Sequence, residues 1–246
     1  MNNTQLSFVI FMIFLIIVFT IWSITNKNNM IDNFTDKIIA DTPNNETNKV
    51  NDTNGVEYKV TFSSTWGANS NINSPTNPHT GVMFLITHND MFSLFDVGDM
   101  ATRGISTTSM FGTVDDLMLL VEHGDNVNNI KEVVTDKVLS TPGNQSMTIK
   151  TSSKFPNISF CTMIAPSPDW FTGVSGVNLM QPNGKWIDNL NIPLYVYDAG
   201  TDSGIRFDED NHYVRPLAMP ITLKTDRYLY NSEEISPIAY LKISRV

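Results

Sequence analysis

This chain has almost no cysteine. Cys161 is the only one in 246 residues, so no disulfide can form within it, and its fold must rest on a hydrophobic core or on bound ions. Positive charge is scarce as well: 16 Lys and Arg stand against 25 Asp and Glu, for a formal charge of -9. Phosphate backbones require clustered Lys and Arg. No basic run occurs anywhere in the chain, which excludes nucleic acid as the expected partner. The four histidines, His79, His88, His123 and His212, lie far apart without an H-x-x-x-H spacing, which argues for loop or packing roles over a zinc site. Gly173-Val174-Ser175-Gly176-Val177 lacks the closing glycine of a G-x-S-x-G elbow, which disfavours a serine hydrolase. Cys161 itself alternates with Phe160 and Thr162 in an apolar run, the setting of a buried, inert thiol.

Long apolar runs are also missing, with one exception. Leu6 to Ile24 is almost entirely Phe, Ile, Leu, Val and Met, close to the ~20 residues that cross a bilayer. A removable signal would have a shorter apolar core, a basic start and a small-x-small cleavage site; no Lys or Arg precedes this run, and Ser23-Ile24-Thr25 is a poor site. Residues 1–25 are therefore expected to anchor the chain in a membrane, with a cleaved signal as the alternative. Residues 26–55 turn to Asn, Thr, Asp and Lys and bury too little to order themselves, so they are expected to form a tether. Lys27 pulls weakly toward a cytoplasmic domain. Sequons at Asn33, Asn45, Asn51, Asn144 and Asn157 point the other way, to an extracytoplasmic glycoprotein.

From residue 56 to 246 the pattern is that of one all-β domain. Tyr58, Val60, Phe62, Ser64 and Trp66 fall on one face, and Lys59, Thr61, Ser63 and Thr65 on the other. Val82 to Thr87, Met147 to Lys150, Ile158 to Ala165, Trp186 to Tyr197, Ile221 to Lys224 and Ile238 to Ile243 read as further strands between Gly-, Pro-, Asn- and Asp-rich loops. Such spacing predicts an antiparallel β-sandwich. Pro193 marks an edge strand or bulge, because it cannot donate to a ladder. Only Thr113 to His123 and Val127 to Val138 have a weak helical pattern.

Chemistry concentrates in two loops. Pro166-Ser167-Pro168-Asp169-Trp170 and Asp198-Ala199-Gly200-Thr201-Asp202-Ser203-Gly204 supply three carboxylates flanked by turn formers. Gly200 and Gly204 permit backbone tight enough for Asp198 and Asp202 to converge. Asp198 continues the parity of Leu190, Ile192, Leu194 and Val196, which puts it at the rim of the sandwich. Calcium suits such a set, since it takes about six to eight oxygens at roughly 2.3 to 2.6 Å from carboxylates, carbonyls and water. Asp208-Glu209-Asp210 is either an added ligand or a solvated acidic loop. Trp170 and Phe171 are either an exposed platform or an anchor for the loop.

These segments resemble the spondin domain of F-spondin and mindin. Ala165 to Phe171, Gly173, Trp186-Ile187-Asp188 and Tyr197 to Gly204 carry the likeness, with weaker similarity around Tyr58 to Phe62, Trp66, His88 and Gly98 to Gly104. The resemblance implies a calcium-binding β-sandwich used in adhesion and recognition, with Asp169, Asp198 and Asp202 as the metal ligands. The cysteines that pair in animal members are missing here. The expectation is a membrane-tethered, non-catalytic domain that recognises a surface protein or glycan, on a cell or a virion. The alternatives are a calcium-dependent lipid-contact module and a carbohydrate-active enzyme using Asp169 with Asp202 as its acid–base pair.

Overall fold

The computed structural model describes residues 55–69, 71–209, 212 and 218–246. The expected anchor, the tether, the sequons at Asn33, Asn45 and Asn51, and Asp210 lie outside them. No helix among the described residues is long and apolar enough to cross a membrane.

The alternation after residue 56 becomes β1 (Val56–Ser64), with Tyr58, Val60 and Phe62 buried on one side. The remaining strands are β2 (His79–Thr80), β3 (Met83–His88), β4 (Ile130–Asp136), β5 (Gly143–Thr151), β6 (Asn157–Ala165), β7 (Trp170–Asn178), β8 (Asn189–Leu194), β9 (Val196–Asp198), β10 (Thr222–Leu223) and β11 (Ala239–Arg245). They form a four-stranded sheet in the order β5-β1-β11-β8 and a larger one in the order β10-β9-β7-β6-β3-β4, with β2 paired to β6. Every pairing is antiparallel. The sheets meet face to face, Phe62 of β1 lying 5.5 Å from Phe160 of β6, ring to ring. The expected sandwich is present.

Two helices add a third layer. They are α1 (Arg103–Phe111) and α2 (Asp115–Glu122), and they cover the outer face of the larger sheet. Phe84 and Ile86 of β3, with Cys161 of β6 and Phe171 of β7, pack there against Ile105 of α1 and Leu117 and Val121 of α2. This layer explains why all nine residues of β6 and all six of β3 are buried: a strand covered on both faces loses its alternation. Cys161 is enclosed, and burial pushes its thiol pKa far up.

Two readings are corrected here. Val127 to Val138 is not helical. A 3₁₀ turn (Gly124–Asn129) leads into β4, whose register against Met83–His88 completes one edge of the larger sheet. Its β-branched residues Ile130, Val133, Val134 and Thr135 suit a half-buried strand better than a helix. The run from Trp186 to Tyr197 is two strands rather than one. β8 ends at Leu194, and after Tyr195 the chain joins the other sheet as β9. Pro193 does sit on an edge strand, opposite Tyr240.

His88 is a packing histidine with a defined tautomer. Its Nδ1 lies 2.8 Å from the Asn89 carbonyl, which only accepts, so Nδ1 donates. Nε2 then accepts from the Ser159 hydroxyl at 2.7 Å, and that hydroxyl in turn accepts from the Gly176 amide at 2.8 Å. The ring is fully buried, which holds its pKa below the usual histidine value.

Candidate metal centre

The chain must reverse between β6 and β7 and again leave the sheet after β9, and antiparallel pairing of β7 with β9 brings these two places together. Trp170 is paired with Asp198, so the residue before Trp170 and the residues after Asp198 become neighbours. The Ala199 amide accordingly donates to the Asp169 carbonyl at 3.2 Å.

Asp169 has no exposed surface. Its Oδ2 accepts from the Thr201 amide at 2.6 Å, the Thr201 hydroxyl at 3.1 Å and the Asp202 amide at 2.9 Å. Its Oδ1 is buried without a hydrogen-bond partner among the described residues. Burial, and then the nearby Asp198 charge, push the Asp169 pKa up to about 6 against the opposing pull of those donors. Asp198 is raised too, chiefly by burial, with the Gly200 amide and Lys224 pulling it back. Asp169 thus carries a costly charge beside a second carboxylate, with one oxygen that no protein donor reaches among the described residues.

The third aspartate plays a different part. Asp202 is 4% exposed, and its two oxygens accept from the Gly204 amide at 2.7 Å and the His212 amide at 2.8 Å. It shapes the turn whose amides hold Asp169. The turn needs its glycines: at Gly200, where φ is 72°, a Cβ would stand 2.1 Å from the Met219 carbonyl oxygen, and at Gly204 it would stand 2.7 Å from Pro168. Among the described residues no group of three His, Cys, Asp or Glu side chains is placed to hold a metal ion. A hard cation here would therefore draw on backbone carbonyls and water beside Asp169 and Asp198, a mixed set that calcium accepts. On the strength of the orphaned oxygen, the residues fit such an ion.

Lys224 is the participant that sequence reasoning missed. Its ammonium lies 3.6 Å from Asp198 Oδ2, 2.7 Å from Asp226 Oδ2 and 4.3 Å from the centre of the Trp170 ring. Its only sequence signal was a place at the end of an apolar run, which says nothing about pairing. Trp170 and Phe171 are buried, so they anchor the loop and present no exposed platform. Asp169 is fully enclosed and both Asp202 oxygens are engaged by backbone amides.

The sequence model of the family described as Spondin_N matches residues 56–234, a span that holds Asp169, Asp198, Asp202 and Lys224. Among curated proteins the chain is similar to Spondin-2 of Rattus norvegicus, 27% identical over 169 residues, or 65% of this chain and 51% of that protein. It is 28% identical to Spondin-2 of Homo sapiens over 169 residues, with the same coverage of 65% and 51%. Against Spondin-1 of Gallus gallus it is 25% identical over 178 residues, 65% of this chain and 22% of that protein. The match thus spans about half of each Spondin-2 and less of Spondin-1.

Proposed function

Since the chain belongs to the Spondin_N family, we propose that it is a calcium-binding recognition domain, tethered to a membrane, that attaches to a surface protein or glycan and catalyses nothing. The observation that carries the calcium part is the orphaned, buried Oδ1 of Asp169 beside Asp198. Calcium held there supplies positive charge to two costly carboxylates and locks the 166–170 and 198–204 loops into one surface. Asp169 and Asp198 act as ligands, Thr201 and Asp202 hold Asp169 through their amides, and Lys224 balances the outer side of Asp198. The apolar run Leu6 to Ile24 supports the tether, and an extracytoplasmic placement follows from the family resemblance and the sequons.

Calcium titration tests this reading. Sites on extracellular modules often bind at about 10⁻⁴ to 10⁻³ M, so melting should be followed from chelator to several millimolar calcium. A melting temperature that climbs with the logarithm of calcium concentration supports it. A flat response in both melting and titration calorimetry removes it. Retention in the membrane pellet after carbonate extraction is the matching check on the anchor.

One observation favours a second reading, calcium-dependent contact with lipid. Met219 and Met100 are 62% and 51% exposed, Met219 adjoins Gly200 through its backbone, and Met100 bridges to Pro220, so apolar side chains flank the candidate metal loop. Co-sedimentation with phosphatidylserine vesicles in calcium, abolished by chelator, would establish that reading in place of the protein or glycan partner.

A further inference from the structure

On the Pro166-Ser167 side of the 166–170 loop, the sandwich carries an open groove of about 350 Å³. Its apolar lining comes from Met110 and Phe111 at the end of α1, Met163 of β6 and Pro166, with His79 of β2 alongside. Asp208 and Glu209 supply its charge, and no Lys or Arg lines it among the described residues. The groove thus places partly exposed apolar side chains, Phe111 being 56% exposed, beside two acids.

The acidic wall is built rather than loose. Phe207, directly before Asp208, packs its ring 5.8 Å from Trp66 and 5.1 Å from the buried Trp170. Glu209 Oε2 accepts from the Ile205 amide at 2.6 Å and the Arg206 amide at 3.0 Å, which closes the loop on itself. Asp208 adopts φ 60°, a backbone state that non-glycine residues rarely occupy. Packing of Phe207 and the hydrogen bonds of Glu209 therefore shape the loop that carries both acids.

We propose that this groove docks a basic segment of a partner protein, one Lys or Arg laying its methylene stem along Met110, Phe111, Met163 and Pro166 with its cationic head toward Asp208 and Glu209. Long cationic side chains are matched to such surfaces, since the stem covers apolar area while the head stays among acids and water. The volume exceeds a single side chain and sits at the low end of the range of ligand pockets, so it also admits a neighbouring apolar residue of the segment. The open mouth suits a side chain delivered by a macromolecule. A second copy of this chain is a poor occupant, because each carries a charge of -9. The proposal rests on the recognition reading for the existence of a protein partner, but none of the three candidate metal aspartates lines the groove.

The test pans the full-length chain against a random twelve-residue peptide library displayed on phage, in parallel with calcium and with chelator. The expected winners carry Lys or Arg next to an aliphatic or aromatic residue, and they bind at least as well with calcium, which orders the Pro166-Ser167 side of the groove, as with chelator. They should bind about tenfold or more weakly to the Asp208→Asn, Glu209→Gln double variant, as loss of a charge partner implies, and also more weakly to Phe111→Ser. The acidic replacements are chosen to fold: Asn tolerates positive φ better than most residues, and Gln keeps an oxygen for the Ile205 and Arg206 amides. Unchanged melting confirms it. Winners without a basic residue, winners indifferent to the double variant, or no enrichment at all overturns the proposal. Calcium-dependent attachment of the same proteins to cells, measured alongside, separates the two ideas. If cells are bound and no basic peptide is, the groove proposal falls while the recognition reading stands.

Discussion

Replacing Asp169 by Asn should move stability in opposite directions with and without calcium. In the ion-free domain the Asp169 carboxyl is fully buried, and its pKa stands at about 6 against an ordinary 3.8. At pH 7.5 that gap of about 2 units costs the folded state up to about 3 kcal/mol, at 1.36 kcal/mol per unit. The Asn side chain removes the charge and keeps one oxygen for the Thr201 and Asp202 amides. Its own amide group is left partly unpaired, at about 1 kcal/mol or more. The net gain is about 1–2 kcal/mol, or a melting temperature about 2–8 °C above the parent in chelator, given about 2–4 °C per kcal/mol for a domain of this size. In calcium at 100 times the dissociation constant the parent gains about 2.7 kcal/mol, which the variant forfeits, so their order reverses. The pH sign follows from the raised pKa. The folded-state penalty is absent below about pH 4, where the carboxyl is protonated folded and unfolded, and it grows as pH rises through about 6. In chelator at pH 4 the order should therefore reverse, with the parent about 1 kcal/mol above the variant, the remaining cost of the unpaired amide. Differential scanning calorimetry in chelator and in calcium reads all of this. A variant that melts below the parent in chelator at pH 7.5, or that responds equally to calcium, refutes the reasoning.

Three further outcomes are expected. Gly200→Ala puts a methyl group 2.1 Å from the Met219 carbonyl at φ 72°, and urea denaturation should show a loss of at least about 1–3 kcal/mol, the usual scale of backbone strain; an unchanged midpoint would mean that this loop yields freely. Burial depresses the folded pKa of His88, so stability should fall as pH drops below the unfolded value of about 6.5. His88→Gln should flatten urea midpoints compared between pH 7.5 and 5.5. In a secretory host Asn144, exposed on β5, should carry glycan, whereas Asn157 is 4% exposed with its amide held by Asp90 Oδ1. Peptide mass spectrometry after deglycosylation in heavy water decides, and a modified Asn157 on folded protein would count against the described packing.

Strand positions were legible where alternation or an unbroken apolar run marked them. β1 and the core of β11 follow from alternation because their outer residues meet water, and Pro193 correctly marked an edge. Of the helical layer, α2 fell within the weak helical pattern of Thr113 to His123, but α1 was not legible. The α1 sequence Arg-Gly-Ile-Ser-Thr-Thr-Ser-Met-Phe is poor in strong helix formers. It is helical because Thr102 caps the Ile105 amide, Gly112 closes its end, and Ile105 lies against the larger sheet. β4 misled for the opposite reason. Val127, Ile130, Val133 and Val134 recur near a helical period, but a free edge on β3 takes them as a strand. β7 was passed over because Thr172, Gly173 and Ser175 interrupt its apolar pattern, and Gly173 is required there: a Cβ would meet the Phe160 carbonyl at 2.2 Å.

The candidate site divides in the same way. Local sequence alone determined that aspartates and glycines would gather in two tight loops, since turn chemistry acts over a few residues and shows in composition. It also determined that this chain would bury its single thiol. Which aspartate stands orphaned, which one shapes a turn, and that Lys224 would lie between Asp198, Asp226 and the Trp170 ring, only the tertiary structure decided. Those roles depend on the pairing of Trp170 with Asp198 and of Thr222 with Asp198, contacts between distant segments whose register is set by packing two sheets and a helical layer together, and no short window of sequence carries that information.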